Sequence, residues 1–206
     1  MDSFYDKDKD GEYINNIYYH LLKQHRIIFL YEEIDSDVAN RTIASLLYLD
    51  KQNKKEICIY INSIGGDALS GLAIYDIMQI ITSTIKTVCV GKAYSAASDL
   101  LAAGTFGKRF ATPNSEIMIH SIQAELFGSN KDIKEEVVRL EKSYNRSVEL
   151  LSKHTGQSFD RISKDCEKDT YMTAQEALEY GIVDKILLPT TKRLSSKIKR
   201  TKTKRA

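Results

Sequence analysis

The chain alternates between short, continuous apolar runs and longer segments whose apolar residues recur every three or four positions. Three of the short runs, residues 57–62, 87–91 and 116–120, are rich in β-branched residues. Because these runs lack the polar alternation of a half-exposed strand, they predict strands buried on both faces. Residues 38–49 and 68–83 carry apolar stripes with helical spacing. Strands separated by helices of this length predict right-handed parallel crossovers and therefore an α/β fold.

A long helix is predicted after the third strand. Ser129 and Asp132 have the spacing of a capping box, and Gly156 marks the end of the pattern. The apolar stripe over residues 130–155 is narrow, and the remaining positions are densely charged. This pattern fits an ordinary half-buried surface helix and equally a helix that projects against a partner subunit.

A shorter helix and a final strand complete the pattern. Thr173 and Glu176 form a second capping box, and Gly181 follows the last helical residue. Residues 182–188 then predict a strand, which Pro189 ends.

Composition narrows the class of protein. A chain of 206 residues, with 42% hydrophobic and 28% charged residues, is expected to fold as one globular domain rather than to be disordered. No apolar stretch reaches about 18 residues and the N-terminus is acidic, so neither a membrane span nor a secretory signal is expected. Three scattered cysteines, Cys58, Cys89 and Cys166, favour buried thiols in a reducing compartment, and no metal site is expected.

The net charge of +2 combines two unlike regions. Residues 191–206 contain eight basic residues and no acidic one, which leaves 22 basic against 28 acidic residues in residues 1–190. The basic tail is expected to be a disordered, solubilising extension. Electrostatic contact with an acidic partner surface or nucleic acid is the alternative, although no nucleic-acid partner is expected.

Two small-residue turns could carry chemistry at the carboxyl ends of strands. Gly65 and Gly66 form either a simple tight turn into a helix or a turn that aims backbone N–H groups at an anion. The tract of residues 91–98 leads into another helix, where Ser95 or Ser98 could be a plain N-terminal cap. Alternatively, Ser95 is a nucleophile beside helix N–H groups that stabilise negative charge.

A serine nucleophile needs a base, and His120 ends the third predicted strand. A lone histidine at a strand end is also compatible with a structural role. The carboxylate that would orient His120 cannot be chosen from spacing, because several acidic residues follow the long helix. These candidates are Asp165, Glu167, Asp169 and Asp184.

The motifs that carry a family resemblance are residues 20–30, 60–66, 71–76, 100–104, 107–110, 117–120, 154–157 and 176–181. In these motifs, and without an evident gap over residues 18–187, the chain resembles the proteolytic subunit of the Clp protease. This is a serine peptidase family with a crotonase-like fold: a stacked β-sheet core with covering helices, and a projecting long helix for ring-to-ring contact. The resemblance implies a peptidase domain over residues 16–190, preceded by a divergent axial segment at residues 1–15.

The resemblance also implies residue roles. Ser95 would be the nucleophile, His120 the general base and Asp169 the carboxylate that orients it. The amides of Gly66 and Ala96 would form the oxyanion hole.

Further positions would contact the substrate or a partner. Asp67 and Ala68 would lie at the substrate edge, and Tyr60 matches a hydrophobic docking position. By resemblance, two stacked seven-membered rings of identical or paralogous subunits enclose unfolded polypeptides delivered by an AAA+ unfoldase, the Clp ATPase. The unfoldase hydrolyses ATP, so this chain needs no cofactor. The expected location is the cytoplasm, or an organelle of bacterial ancestry such as a plastid.

Several residues depart from the family pattern. Ala96 replaces a methionine, Ala97 a glycine and Asp99 an aromatic residue, and residues 121–126 lack the usual glycine pair. An altered neighbourhood could leave the triad misaligned, so a structural ring subunit that pairs with an active paralogue is the main alternative. An acyl-CoA-processing crotonase enzyme is a third hypothesis, although it does not explain the serine, histidine and aspartate together.

Overall fold

The structure is a computed structural model. It describes residues 17–123 and 126–189, and the backbone of residues 6–7 and 13–14. The basic tail, and most of the segment at residues 1–15, lie outside the described residues. The strands are β1 Asp6–Lys7, β2 Tyr13–Ile14, β3 Ile27–Leu30, β4 Ile57–Ser63, β5 Ile85–Tyr94, β6 Arg109–Ala111, β7 Glu116–Ile119, β8 Thr170–Thr173 and β9 Lys185–Ile186. The helices are α1 Ile17–His25, α2 Ser36–Gln52, α3 Ala68–Ile80, α4 Ala96–Ala102, α5 Asn130–Thr155, α6 Phe159–Asp165 and α7 Ala174–Tyr180.

The main sheet is largely parallel, as the strand-helix alternation predicts. Its order is β3-β4-β5-β6-β9, and all of these neighbours run parallel. Strand β5 branches: its first half pairs with β6 and its second half, ending at Tyr94, pairs with β7. Strand β8 is the exception, because it runs antiparallel to β7. The α/β prediction is confirmed, and the branch brings β7 to the end of β5.

Burial in β4 differs from the expectation of two covered faces. Ile57, Ile59 and Ile61 are fully buried, whereas Cys58 and Tyr60 between them are only half-buried. That expectation is therefore wrong for this strand. One face packs into the apolar core, and the other is covered only in part by neighbouring side chains.

The three cysteines are free thiols, but Cys58 is only half-buried, so the prediction of a buried thiol is wrong for this residue. Cys89 and Cys166 are buried, and burial raises the pKa of the Cys89 thiol to about 11. A thiol held neutral in this way is a poor nucleophile. In the described part of the chain, no helix combines the length and apolar character that a bilayer crossing needs.

The long helix α5 has two unlike halves. Ser129 and Asp132 form the predicted capping box, and Gly156 ends the helix in the left-handed conformation. The buried residues of α5 are Ser143, Val148, Leu150 and Leu151, all in its second half. The first half therefore extends past the apolar core of the single chain, and this arrangement favours the projecting-helix interpretation.

Candidate active site

Ser95 lies between the end of β5 and the start of α4 in an unusual backbone conformation. Its φ is 53° and its ψ is −129°, and its side chain makes no capping hydrogen bond to α4. The plain-cap interpretation is therefore wrong for Ser95. It is also wrong for Ser98, which lies within α4 and donates its hydroxyl to the Ser95 carbonyl at 2.7 Å. A non-glycine residue at positive φ costs about 1–3 kcal/mol, and such strain concentrates at functional sites.

The pairing of β5 with β7 brings His120 beside Ser95. Tyr94 lies opposite Met118 in this parallel pair, and the Ser95 amide donates to the Met118 carbonyl at 2.9 Å. The residues after β7 therefore lie beside the turn between β5 and α4 that carries Ser95. We call this turn the nucleophile turn. Ser95 and His120 line the same cleft.

The pairing of β7 with β8 selects among the four candidate carboxylates. Ile119 lies opposite Thr170 in this antiparallel pair, so the next residues outward are His120 and Asp169. Their Nδ1 and Oδ1 atoms are 3.3 Å apart. This contact is not a hydrogen bond, and Nδ1 is buried without another partner among the described residues. Asp169 is thus beside the histidine, with its side chain 46% exposed.

The backbone of the glycine pair packs directly against the nucleophile turn. A Cβ on Gly65 would lie 2.5 Å from the Tyr94 carbonyl oxygen and 2.8 Å from the Ser95 Cβ, and its φ is +87°. Only glycine fits there. Gly66 bridges to Ile34, whose amide donates to the Gly65 carbonyl and whose carbonyl accepts from the Asp67 amide, both at 2.7 Å. These bonds fix the turn that follows β4.

Two backbone amides beside Ser95 have no acceptor in residues 17–123 and 126–189. The hydrogen bonds to Ile34 are made by the Gly65 carbonyl and the Asp67 amide. The Gly66 amide between them has no acceptor among the described residues. The amide of Ala96 is the first of α4 and, like the first amides of any helix, has no intrahelical partner. Both residues line the cleft with Ser95. Free N–H groups beside a nucleophile can stabilise a developing oxyanion.

The cleft itself has a volume of about 550 Å³. It runs between the nucleophile turn, the start of α3 and the inner face of α5. A family model described as Clp protease matches residues 9–190. The chain belongs to the Clp protease family. Membership implies a peptidase, and the mixed α/β fold with its branched sheet agrees with it.

In this Clp protease family member, the predicted substrate-edge residues Asp67 and Ala68 both line the cleft. Asp67 also caps α3, because its Oδ2 accepts from the Ser70 amide at 2.8 Å. Burial acts to raise the pKa of Asp67, but hydrogen bonds from Ser70 and Leu69 and the charge of Arg139 together outweigh it, and the pKa falls below its usual value. A charged carboxylate therefore stands at the rim of the cleft.

Tyr60 lies on an aromatic surface outside the residues that line the cleft. It stacks on Phe29 at 5.4 Å between ring centroids, and Tyr18 lies edge-on to Phe29 at the same distance. Tyr18 in turn stacks on Tyr31 at 5.2 Å. Tyr18, Phe29 and Tyr31 are exposed. We call these four residues the aromatic surface.

Sequence reasoning missed two residues that shape the site. Ile34 braces the glycine pair through its backbone, which leaves no signal in the sequence. Ser147 of α5 donates to Asp99 Oδ2 at 2.7 Å and so links the long helix to α4. Asp99 itself interrupts an apolar helix four residues after Ser95, and this spacing was a readable sign that its carboxyl faces the same cleft.

Proposed function

We propose that this chain is a serine endopeptidase subunit that cleaves unfolded polypeptides through Ser95, His120 and Asp169. The observation that carries the proposal is Ser95 itself. It is held at positive φ by the glycine pair, with no capping role, in one cleft with a histidine at the end of the adjoining strand. Membership in the Clp protease family supplies the reaction class.

In the proposed reaction, the Ser95 hydroxyl attacks the scissile carbonyl while His120 accepts its proton. The Gly66 and Ala96 amides stabilise the negative charge on the carbonyl oxygen. The protonated His120 then gives its proton to the leaving amine, and an acyl-enzyme remains on Ser95. Water activated by His120 releases it. Asp169 orients the imidazole and favours its charged form.

We further propose that the active assembly consists of two stacked seven-membered rings served by a Clp ATPase. The family implies a ring-forming oligomer that works with such ATPases. The exposed first half of α5 supplies a surface for the ring-to-ring contact. The aromatic surface around Tyr60 supplies an apolar docking patch for the ATPase, which would bind and hydrolyse the ATP.

One observation favours a second candidate, a subunit that is inactive alone and completed by a paralogous ring. His120 Nδ1 is buried, lies 3.3 Å from Asp169 and makes no hydrogen bond within the part of the chain that the structure describes. A small shift on assembly would make this bond and set the imidazole in the orientation that catalysis needs.

Labelling by a fluorophosphonate probe tests both candidates. We expect the purified chain to be labelled, Ser95→Ala to lose all labelling, and the matched control Ser45→Ala on α2 to keep it. Labelling only after a paralogous ring is added would support the second candidate. No labelling in any assembly would contradict the catalytic proposal.

A further inference from the structure

Asp99 is a carboxyl group of the cleft that the proposed triad does not use. It lies on α4 four residues after Ser95, which is one turn or about 6 Å along the helix. Both residues line the cleft. A group bound at Ser95 therefore has Asp99 within the length of one amino-acid side chain.

The hydrogen bonding of Asp99 is only half complete. Its Oδ2 accepts from the Ser147 hydroxyl at 2.7 Å. Its Oδ1 has no donor among the described residues, and it is not one of the polar atoms sealed from solvent. Burial raises the pKa of this carboxyl to about 7, against a smaller opposing effect of Ser147. A carboxyl in this state gains from a donor that brings positive charge.

No basic side chain of the described residues is paired with Asp99. Arg139 is the one lysine or arginine among the described residues that line the cleft, and it pairs with Glu136 at 2.9 Å. Glu33 and Asp67 add further acidic groups to the lining. The cleft therefore has an excess of negative charge, with one half-buried carboxyl that lacks a counter-ion among the described residues.

The cleft that contains Asp99 has apolar residues on three of its helices. Leu72 of α3, Leu100 of α4 and Leu150 of α5 line the same cleft. A lysine or arginine side chain combines an apolar stem with a charged end, so its methylene groups fit such walls while its head reaches a carboxylate. A short or acidic side chain could not satisfy both parts.

We propose that Asp99 is a specificity-determining residue that selects lysine or arginine at the position whose carbonyl is attacked by Ser95. This inference rests on the proposed peptidase function. The side chain of that substrate residue begins next to the scissile carbonyl, and it is therefore the one that lies nearest to Asp99 when Ser95 attacks. The cationic head binds Oδ1, and Ser147 keeps its bond to Oδ2.

Two peptidyl diphenyl phosphonates that differ only in lysine or norleucine at this position test the proposal. In each, the Ser95 oxygen bonds to phosphorus, and phenol leaves with the serine proton. The readout is the ratio of the two labelling rate constants on the full chain in its assembly. We expect lysine to be favoured by about 10- to 100-fold, as for a hydrogen bond between charged groups. The ratio should fall to about one in Asp99→Asn.

The matched control is Asp160→Asn, an exposed carboxylate of α6 outside the cleft lining, which should keep the lysine preference. A norleucine preference in the unmodified chain would overturn the inference without any variant, as would an unchanged ratio in Asp99→Asn. A fluorophosphonate probe without an amino-acid side chain distinguishes a failure of this inference from a failure of the proposed function. If that probe labels Ser95 while the lysine preference is absent, only this inference fails. If it labels nothing in any assembly, the proposed function fails and the inference with it.

Discussion

The cleft has two walls that are built in different ways. The nucleophile wall, residues 63–67 and 94–96, is held by backbone contacts, some at distances where no added Cβ fits. The helix wall, α5, meets the cleft through side chains, and only four of its 26 residues are buried. Backbone contacts of this kind allow no adjustment, whereas side chains on a partly exposed helix can be exchanged. The nucleophile wall is therefore suited to position chemistry, and the helix wall to vary specificity and assembly.

The sharpest test of the rigid wall is Gly65→Ala. The added Cβ would lie 2.5 Å from the Tyr94 carbonyl oxygen, beside the nucleophile. We expect labelling of Ser95 to slow by about 100-fold or more, because misplacing a reacting group by about 1 Å has effects of that size. The free energy of unfolding should fall by about 1–3 kcal/mol from overpacking, in addition to the strain of positive φ.

Gly107→Ala is the matched control for this prediction. Gly107 has a similar φ of +80°, but an added Cβ meets nothing within 4 Å. It carries the conformational strain without the contact, so it should keep labelling near the unmodified rate. Equal effects of the two substitutions would show that the nucleophile wall is not rigid in the way proposed.

Asp169→Asn tests whether the third triad position belongs with the rigid wall. The carboxyl is 46% exposed and lies 3.3 Å from Nδ1 of His120 without a completed hydrogen bond. We expect peptide hydrolysis to fall by about 10- to 100-fold, less than after loss of the base itself. Steady-state assays of the assembled protein would measure it. Glu167→Gln, an exposed neighbour, should have little effect, and a rate unchanged in Asp169→Asn would remove this residue from the site.

Asp99 lies where the two walls meet, and its ionisation can be followed through the pH dependence of the free energy of unfolding. Burial raises its pKa from 3.8 to about 7 in the folded chain, so the folded state binds this proton more tightly than the unfolded chain does. Its contribution to stability is therefore present at low pH and is lost as the pH rises from about 4 to about 7. Asp99→Asn removes this loss of stability. The loss is about 1.4 kcal/mol for each tenfold difference in proton affinity between the folded and the unfolded chain.

Urea unfolding of both proteins across this pH range would measure the effect. We expect the variant to gain stability relative to the unmodified chain as the pH rises, and to keep that gain at pH 8. Parallel pH profiles of the two midpoints would contradict a raised pKa of Asp99 in the folded chain.

The smallest change in the free energy of unfolding is expected for a substitution in the first half of α5, the outer part of the helix wall. Val138 is 50% exposed in α5, so Val138→Glu should change the free energy of unfolding by no more than about 0.5 kcal/mol. Ring-to-ring association should nevertheless weaken, and native mass spectrometry would show single rings or smaller species. Leu188→Glu, at a residue that is 77% exposed outside α5, is the control. A double ring that persists in Val138→Glu would argue against this contact.

Local signals in the sequence predicted much of the fold and part of the site. Hydrophobic periodicity located β4, α2, α3 and α5, and both capping boxes are present as predicted. Three short strands were not predicted from the pattern, since three or four residues contain too few positions to display a period. They are β3, β6 and β8, and β8 is the strand that brings the carboxylate.

The sequence by itself determined the strand-helix alternation, the glycine pair and the serine and histidine that follow strands. Each depends on neighbours a few residues away, where propensity, capping and turn geometry act. The tertiary structure decided which of four carboxylates meets His120, through the antiparallel register of β7 and β8. It also decided that the Asp99 carboxyl would face the cleft with Ser147 as its one hydrogen-bond partner among the described residues. Strand register and helix packing join residues far apart in the chain, so no local pattern records them.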